Sequence, residues 1–160
     1  MATLQESGRI ALAIAIVSQP IHLAWGRGDT TWDSVPSPDP NNAITLAREI
    51  GRRAATQVSY CRPEPTGEIE LATGRYALTA TPTTNVYVKF TYAFGDAAGE
   101  TVRELGIFLG TQIKATVPAG QRYFLPADLL TLGRLYALER VTGFLRSPTV
   151  RQVFEYVLPF

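Results

Sequence analysis

At 160 residues the chain has the length of one compact domain, enough to bury a core without disulfide or metal staples. With 46% hydrophobic and 18% charged residues and a formal net charge of +1, it is apolar and lightly charged, and no basic block marks it as a nucleic-acid binder. Cys61 stands alone, which excludes an internal disulfide, and the apolar run 10–17 is far shorter than the roughly 20 residues of a bilayer span.

Residues 3–17 read as a helix. Thr3 followed by Glu6 has the spacing of a capping box. Ile10, Leu12, Ala13, Ile14, Ile16 and Val17 are apolar on nearly every side, so the helix is expected to be buried or oligomeric, with a buried strand over 10–17 as the alternative. Ser18-Gln19-Pro20 breaks it. Glu6 and the lack of a small-x-small cleavage pattern argue against a secretory signal, so synthesis in the cytoplasm without export is expected. Residues 21–25 form a short strand that runs into Gly26-Arg27-Gly28-Asp29, a tight turn flanked by Trp25 and Trp32. Residues 26–42 are a long loop, and Pro36, Pro38 and Pro40 favour an extended path over the surface. Asn41 or Asn42 would cap a second helix at 43–53, with Ile44, Ala47 and Ile50 on one face.

From Ala54 the period changes to two. Residues 57–62 alternate as a strand closed by Pro63 and Pro65. Residues 68–71 and 75–79 flank Thr73-Gly74, a hairpin signal. Residues 85–94 are the best strand, with Val86, Val88, Phe90, Tyr92 and Phe94 on one face. Residues 102–111 form another, in which Gly106 and Gly110 mark bends or close backbone approach. A turn at Pro118-Ala119-Gly120, a short strand at 123–125 and a helical turn at 128–132 follow. Two long strands, 134–141 and 150–158, are joined through 143–148, and a chain ending on an apolar strand has to pair it. The elements predict an α+β, β-rich fold: a mixed or antiparallel sheet or sandwich with an N-terminal helix and a second short helix. Residues 1–160 are read as a single domain with an extended proline-rich loop at 34–42.

Few residues suit catalysis. His22 is the lone histidine, so a nucleophilic arrangement would need it as base with Ser18, Ser34 or Cys61, and no spacing supports that. A strand histidine hydrogen-bonded to a neighbour, and a buried apolar Cys61, are the simpler readings. Asp29 and Asp33 near the two tryptophans have the residue types to grip a sugar, but their offset in a loop fixes no geometry; capping of turns is the commoner use. Too few oxygen ligands are visible for calcium. Arg-Gly-Asp at 27–29 lacks a secretion context, and no Lys-Ser/Thr follows Gly28 to make a phosphate loop. Thirteen of the fifteen basic residues are Arg, which favours bidentate interface contacts, a bias that genomic base composition produces equally well.

A helical amino terminus, then His22-Leu23-Ala24-Trp25-Gly26-Arg27-Gly28-Asp29, then Arg103-Glu104-Leu105-Gly106-Ile107-Phe108, then Leu138-Glu139-Arg140-Val141 before a terminal strand span most of the sequence. In this order the chain resembles small structural proteins of tailed bacteriophages and prophages, of the tail-fibre-collar and baseplate-associated type. The resemblance implies a virion part at the distal tail, beside baseplate wedge and fibre proteins, and carries over no catalytic residue. Fibre-collar proteins continue into a long shaft, whereas this sequence ends at Phe160, which favours a compact adaptor or baseplate subunit. The expected function is therefore a non-enzymatic tail component, made in the host cytoplasm and present in several copies of a symmetric assembly. Its expected partners are other tail proteins, with no cofactor, metal, nucleic acid or membrane. The contact residues expected are Trp25, Arg27, Asp29, Trp32, Pro36, Pro38 and Pro40, the proline arm lying along a neighbour as an extended peptide. The rival readings are a glycan-binding module using Trp25, Trp32, Asp29 and Asp33, a small hydrolase dependent on His22, and an assembly chaperone absent from the finished particle.

Overall fold

A computed structural model describes residues 2–160. In chain order the elements are α1 (Glu6–Val17), β1 (Ile21–Gly26), a 3-10 turn (Thr30–Asp33), β2 (Glu49–Ala54), β3 (Gln57–Pro63), β4 (Ile69–Leu71), β5 (Gly74–Thr79), β6 (Asn85–Tyr92), β7 (Thr101–Leu109), β8 (Gln112–Ile113), β9 (Tyr123–Phe124), a second 3-10 turn (Pro126–Asp128), β10 (Leu129–Thr131), β11 (Arg134–Leu145) and β12 (Gln152–Pro159). The fold is β-rich with one α-helix, and its sheets are built from antiparallel pairs. The chain forms two compact units, one of residues 2–19, 55–90 and 153–160, the other of residues 20–54 and 91–152.

The first unit holds α1 and a five-stranded sheet ordered β12-β6-β3-β5-β4. The hairpin forms as its turn signal predicts, with Leu71 opposite Gly74 and Ile69 opposite Tyr76. Cys61, Ile69 and Tyr87 make a buried cluster flanked by Leu71, Tyr76 and Val157. Val86, Val88 and Phe90, which alternate with Tyr87 along β6 and so point to the other face, are buried as well, while Phe94 lies beyond the strand and is exposed. The C-terminal strand β12 is paired, on β6.

Helix α1 is shorter than its pattern. Gln5 is the N-cap and offers no side-chain cap, so Thr3 lies two residues too early for its hydroxyl to close the box with Glu6. Ser18 bonds back to the Ala15 carbonyl at 2.8 Å, and Pro20 bars a further turn. Of its apolar residues only Ala13 is buried within the chain, and Leu12 and Ile14 stand exposed, so the helix is not buried by its own chain.

The second unit is built on a five-stranded sheet ordered β11-β7-β1-β2-β9, with β8 and β10 paired separately. All six residues of β1 are buried: β7 and β2 flank it within the sheet, and both faces of the strand are covered. One sheet face carries Ala24, Phe108, Leu135 and Leu138, covered by Leu46. Gly106, expected to permit close approach, does so: a Cβ there would sit 2.7 Å from Leu46 Cδ2. The opposite face carries Trp25, whose ring stacks on Tyr92 at 3.5 Å and meets Phe144 edge-on. The Tyr92 hydroxyl donates to the Leu23 carbonyl at 2.6 Å, so the large aromatics are pinned to the strand they cover.

Three expectations fail in this unit. The second helix at 43–53 does not form: Glu49–Ala54 is strand β2, and Ile44 is 79% exposed. Helix propensity is a weak bias, and here the exchange of backbone hydrogen bonds with β1 outweighs it, while Arg48 at φ +56° ends any helical path. The helical turn expected at 128–132 lies earlier, at Pro126–Asp128, where Pro126 presets φ and the Asp128 carboxylate accepts from Leu125 N at 2.8 Å; Leu129–Thr131 then extends as β10. Strand β11 runs on through Gly143 to Leu145, because shifts in register against β7 let the pairing resume at Phe144 and Leu145. The proline-rich segment 34–42 has no helix or strand.

Candidate interaction surface

The segment after β1 first continues the ladder, with Arg27 N and Gly28 N donating to Arg48 O and Ala47 O at 3.0 and 3.1 Å. The Arg48 guanidinium also donates to Gly28 O. Gly28 then takes φ +58°, and a Cβ at this position would lie 2.5 Å from Trp32 Cζ3. Only glycine suits both the left-handed backbone and the pressed indole. Asp29 caps the 3-10 turn, its Oδ1 accepting from Thr31 N at 2.9 Å and Thr31 Oγ1 at 2.8 Å. Those bonds hold its carboxyl below the usual range.

Two arginines from the sheet fix the rest. Arg103 on β7 grips Asp33 with a bidentate fork at 2.9 and 2.7 Å and donates a third bond to Arg27 O at 3.1 Å. Gly143 N adds a bond to the same carboxylate at 3.2 Å, and these contacts depress the Asp33 pKa, Arg103 most of all. Arg140 on β11 stacks its guanidinium 4.2 Å from the Trp32 centroid. It donates to Ser37 Oγ at 2.5 Å and Pro38 O at 2.7 Å, while its own backbone N–H reaches Asp39 Oδ1 at 2.8 Å. Its Nε contacts Glu104 Oε1 at 3.2 Å, and Glu104 Oε2 accepts from Ala47 N at 2.6 Å. Glu104 is buried, so the pair and the amide share the cost of desolvating it.

Asp33 and Asp39 thus occupy the backbone donors of Gly143 and Arg140 on β11, the outer strand of its sheet. Carboxylates there blunt an edge that would otherwise invite another strand. A recess of about 120 Å³ remains between Trp32, Pro36, Ser37, Arg140, Val141 and Thr142.

The expected contact residues are therefore not equivalent. Trp25 is fully buried and has no surface to offer, a correction to its place among them. Arg27 is partly exposed but holds Glu100 bidentately at 2.7 and 2.5 Å, which keeps that carboxyl below the usual range. Asp29, Pro36 and Pro38 are exposed, and Trp32 and Pro40 are half-buried. The arm folds back on its own sheet through Arg140 instead of extending freely. Arg103, Glu104 and Arg140, which organise the surface, lie in the sequence motifs at 103–108 and 138–141. The signal that could have found them is a charged residue inside an apolar strand run, which needs an opposite charge across the sheet.

The geometry also bears on the other chemistries. The two tryptophans share no platform for a sugar, since one is interior and the other lies against Arg140 and Gly28. Within Arg-Gly-Asp both charged side chains have partners in the chain, Arg27 on Glu100 and Asp29 on Thr31. His22 is buried with Phe124 edge-on at 5.6 Å. Its Nδ1 has no hydrogen-bond partner among the described residues, which corrects the expected bond to a neighbour. Burial, then the charges of Arg52 and Arg122, lower its pKa to about 4, leaving a neutral, enclosed ring. Burial pushes the Cys61 thiol up to about 11. Among the described residues no group of three His, Cys, Asp or Glu side chains could hold a metal ion, and no helix is long and apolar enough to cross a membrane.

The fold is β-rich, and two arginines of its sheet, Arg103 and Arg140, hold a loop in place, an arrangement that suits a structural subunit. Residues 1–160 match the family described as baseplate wedge 3 tail fiber network component, and the chain belongs to that family. It is a structural protein of the bacteriophage tail, located in the virion's baseplate and tail-fibre region among other tail proteins. No curated protein matches the chain significantly.

Proposed function

We propose that the chain is a non-enzymatic adaptor of the baseplate wedge, and that segment 27–40 is a face it presents to a neighbouring tail protein. The observation that carries this reading is the double arginine clamp. Arg103 and Arg140 hold the segment in one shape while Asp29, Val35, Pro36 and Pro38 remain exposed, Val35 at 71%. A surface ordered before binding loses less conformational entropy when it docks. The membership in a tail-fibre-network family supports the joining role, and the same reading has the protein made in the host cytoplasm and used in several symmetric copies.

The test is quantitative mass spectrometry of purified tail particles carrying Val35→Asp with Pro36→Ser. Both side chains are exposed, so the isolated protein keeps its melting temperature. Incorporation falling at least tenfold supports the reading, and normal incorporation at a normal copy number overturns it.

A further inference from the structure

Arg146 is 2% exposed, yet every hydrogen bond its guanidinium makes among the described residues goes to a backbone carbonyl. It donates to Ser147 O at 2.6 Å, to Val150 O and to Ala93 O at 2.6 Å, and stands 5.8 Å from the Trp25 ring. Its backbone joins the same knot, with Arg146 N on Glu100 O at 2.8 Å and Gly99 N on Arg146 O at 2.9 Å. A buried cation with no carboxylate beside it is expensive in a fold. What it secures is the mutual position of the turn after β6 and the loop between β11 and β12.

Those two segments carry large apolar side chains in the open. Phe94, next to Ala93, is 47% exposed, and Val150, whose carbonyl Arg146 holds, is 55% exposed. Arg151 lies over the Phe94 ring at 5.1 Å and is itself exposed, and no carboxylate of this chain pairs with it among the described residues. The two carboxylates of the adjoining turn are engaged elsewhere, Asp96 by Arg53 at 2.7 Å and Glu100 by Arg27. Two exposed apolar side chains on loops that Arg146 fixes from beneath, with a guanidinium unpaired among the described residues lying over one and next in sequence to the other, make a surface that an acid-bearing apolar segment would complement.

We infer that Phe94, Val150 and Arg151 form a second docking surface, which receives an apolar segment of another tail protein carrying a carboxylate for Arg151. The surface is separate from segment 27–40 and does not depend on the reading given for it. Phe94 and Val150 supply the desolvated centre, and Arg151, already oriented by the Phe94 ring, forks onto the partner's acid.

The experiment places photo-reactive p-benzoylphenylalanine at position 150 of the full chain in assembled tails and reads the cross-linked peptides. The expected product joins position 150 to a different tail protein, at a peptide with Asp or Glu within three residues of a large apolar side chain. In parallel, Arg151→Glu lowers incorporation at least tenfold with an unchanged melting temperature, whereas Arg151→Lys lowers it less. Cross-links only to another copy of this chain, or only to peptides without an acid, overturn the inference, as does full incorporation of the Arg151→Glu protein. Loss of incorporation in the Val35 and Pro36 variant leaves this cross-link unaltered in the particles that do form, so the two surfaces fail separately.

Discussion

His22 makes the folded state sensitive to mild acid, and its size follows from its surroundings. The ring sits in β1 opposite Ala54 on one side and Phe108 on the other, with no hydrogen-bond partner for Nδ1 among the described residues. Its pKa is about 4 in the fold against an ordinary 6.5 in the unfolded chain. The unfolded chain therefore takes up a proton as pH falls through the ordinary value, while the folded chain does not until pH approaches the lowered one. Stability is full above the unfolded value and is lost progressively down to the folded value. At about pH 5 the unfolded ring lies roughly 1.5 units below its pKa, so at about 1.36 kcal/mol per unit the fold is about 2 kcal/mol weaker than at about pH 7.5. Carboxylates titrate mostly below this window. Urea unfolding of the wild type at the two pH values, with His22→Phe beside it, isolates the ring. The wild-type midpoint falls by about 1 M on acidification. The Phe variant, whatever its starting stability, loses little between the same two pH values. A Phe variant that loses as much as the wild type refutes the argument, because the lost protons would then belong to other groups.

Arg140→Ala severs Trp32, Ser37 and Pro38 from the sheet and leaves buried Glu104 without its cation, at a cost of about 3 kcal/mol; limited proteolysis then cuts within 34–42, where the wild type resists. Gly28→Ala forces a side chain into the left-handed region and against the Trp32 ring, and lowers stability by about 2 kcal/mol in chemical denaturation. Tyr92→Phe removes one buried hydrogen bond to Leu23 O and keeps the ring stacked on Trp25, so the loss in the same measurement is about 1–2 kcal/mol.

The sequence by itself determined the strands whose signals are local. The period-two runs around Val58, Val86 and Val153 and the Thr73-Gly74 turn each act over a few residues, and each is found as strand or hairpin. It also determined the kind of protein, since the segments at 22–29, 103–108 and 138–141 point to the tail proteins whose family spans the whole chain. It did not determine β2, where Ile44, Ala47 and Ile50 have helical spacing, because β1 and β9, both distant in sequence, supply the hydrogen bonds that make Glu49–Ala54 a strand. Nor did it decide the fate of the tryptophans. Both adjoin the same glycine turn, yet Tyr92, 67 residues beyond Trp25 in the chain, takes Trp25 into the interior, and Arg140 holds Trp32 at the surface. The clamp on segment 27–40 joins residues from β7 and β11 to a loop more than sixty positions earlier. Such pairings exist only when the sheet sets those strands side by side, so side-chain contacts of this range belong to the tertiary structure alone.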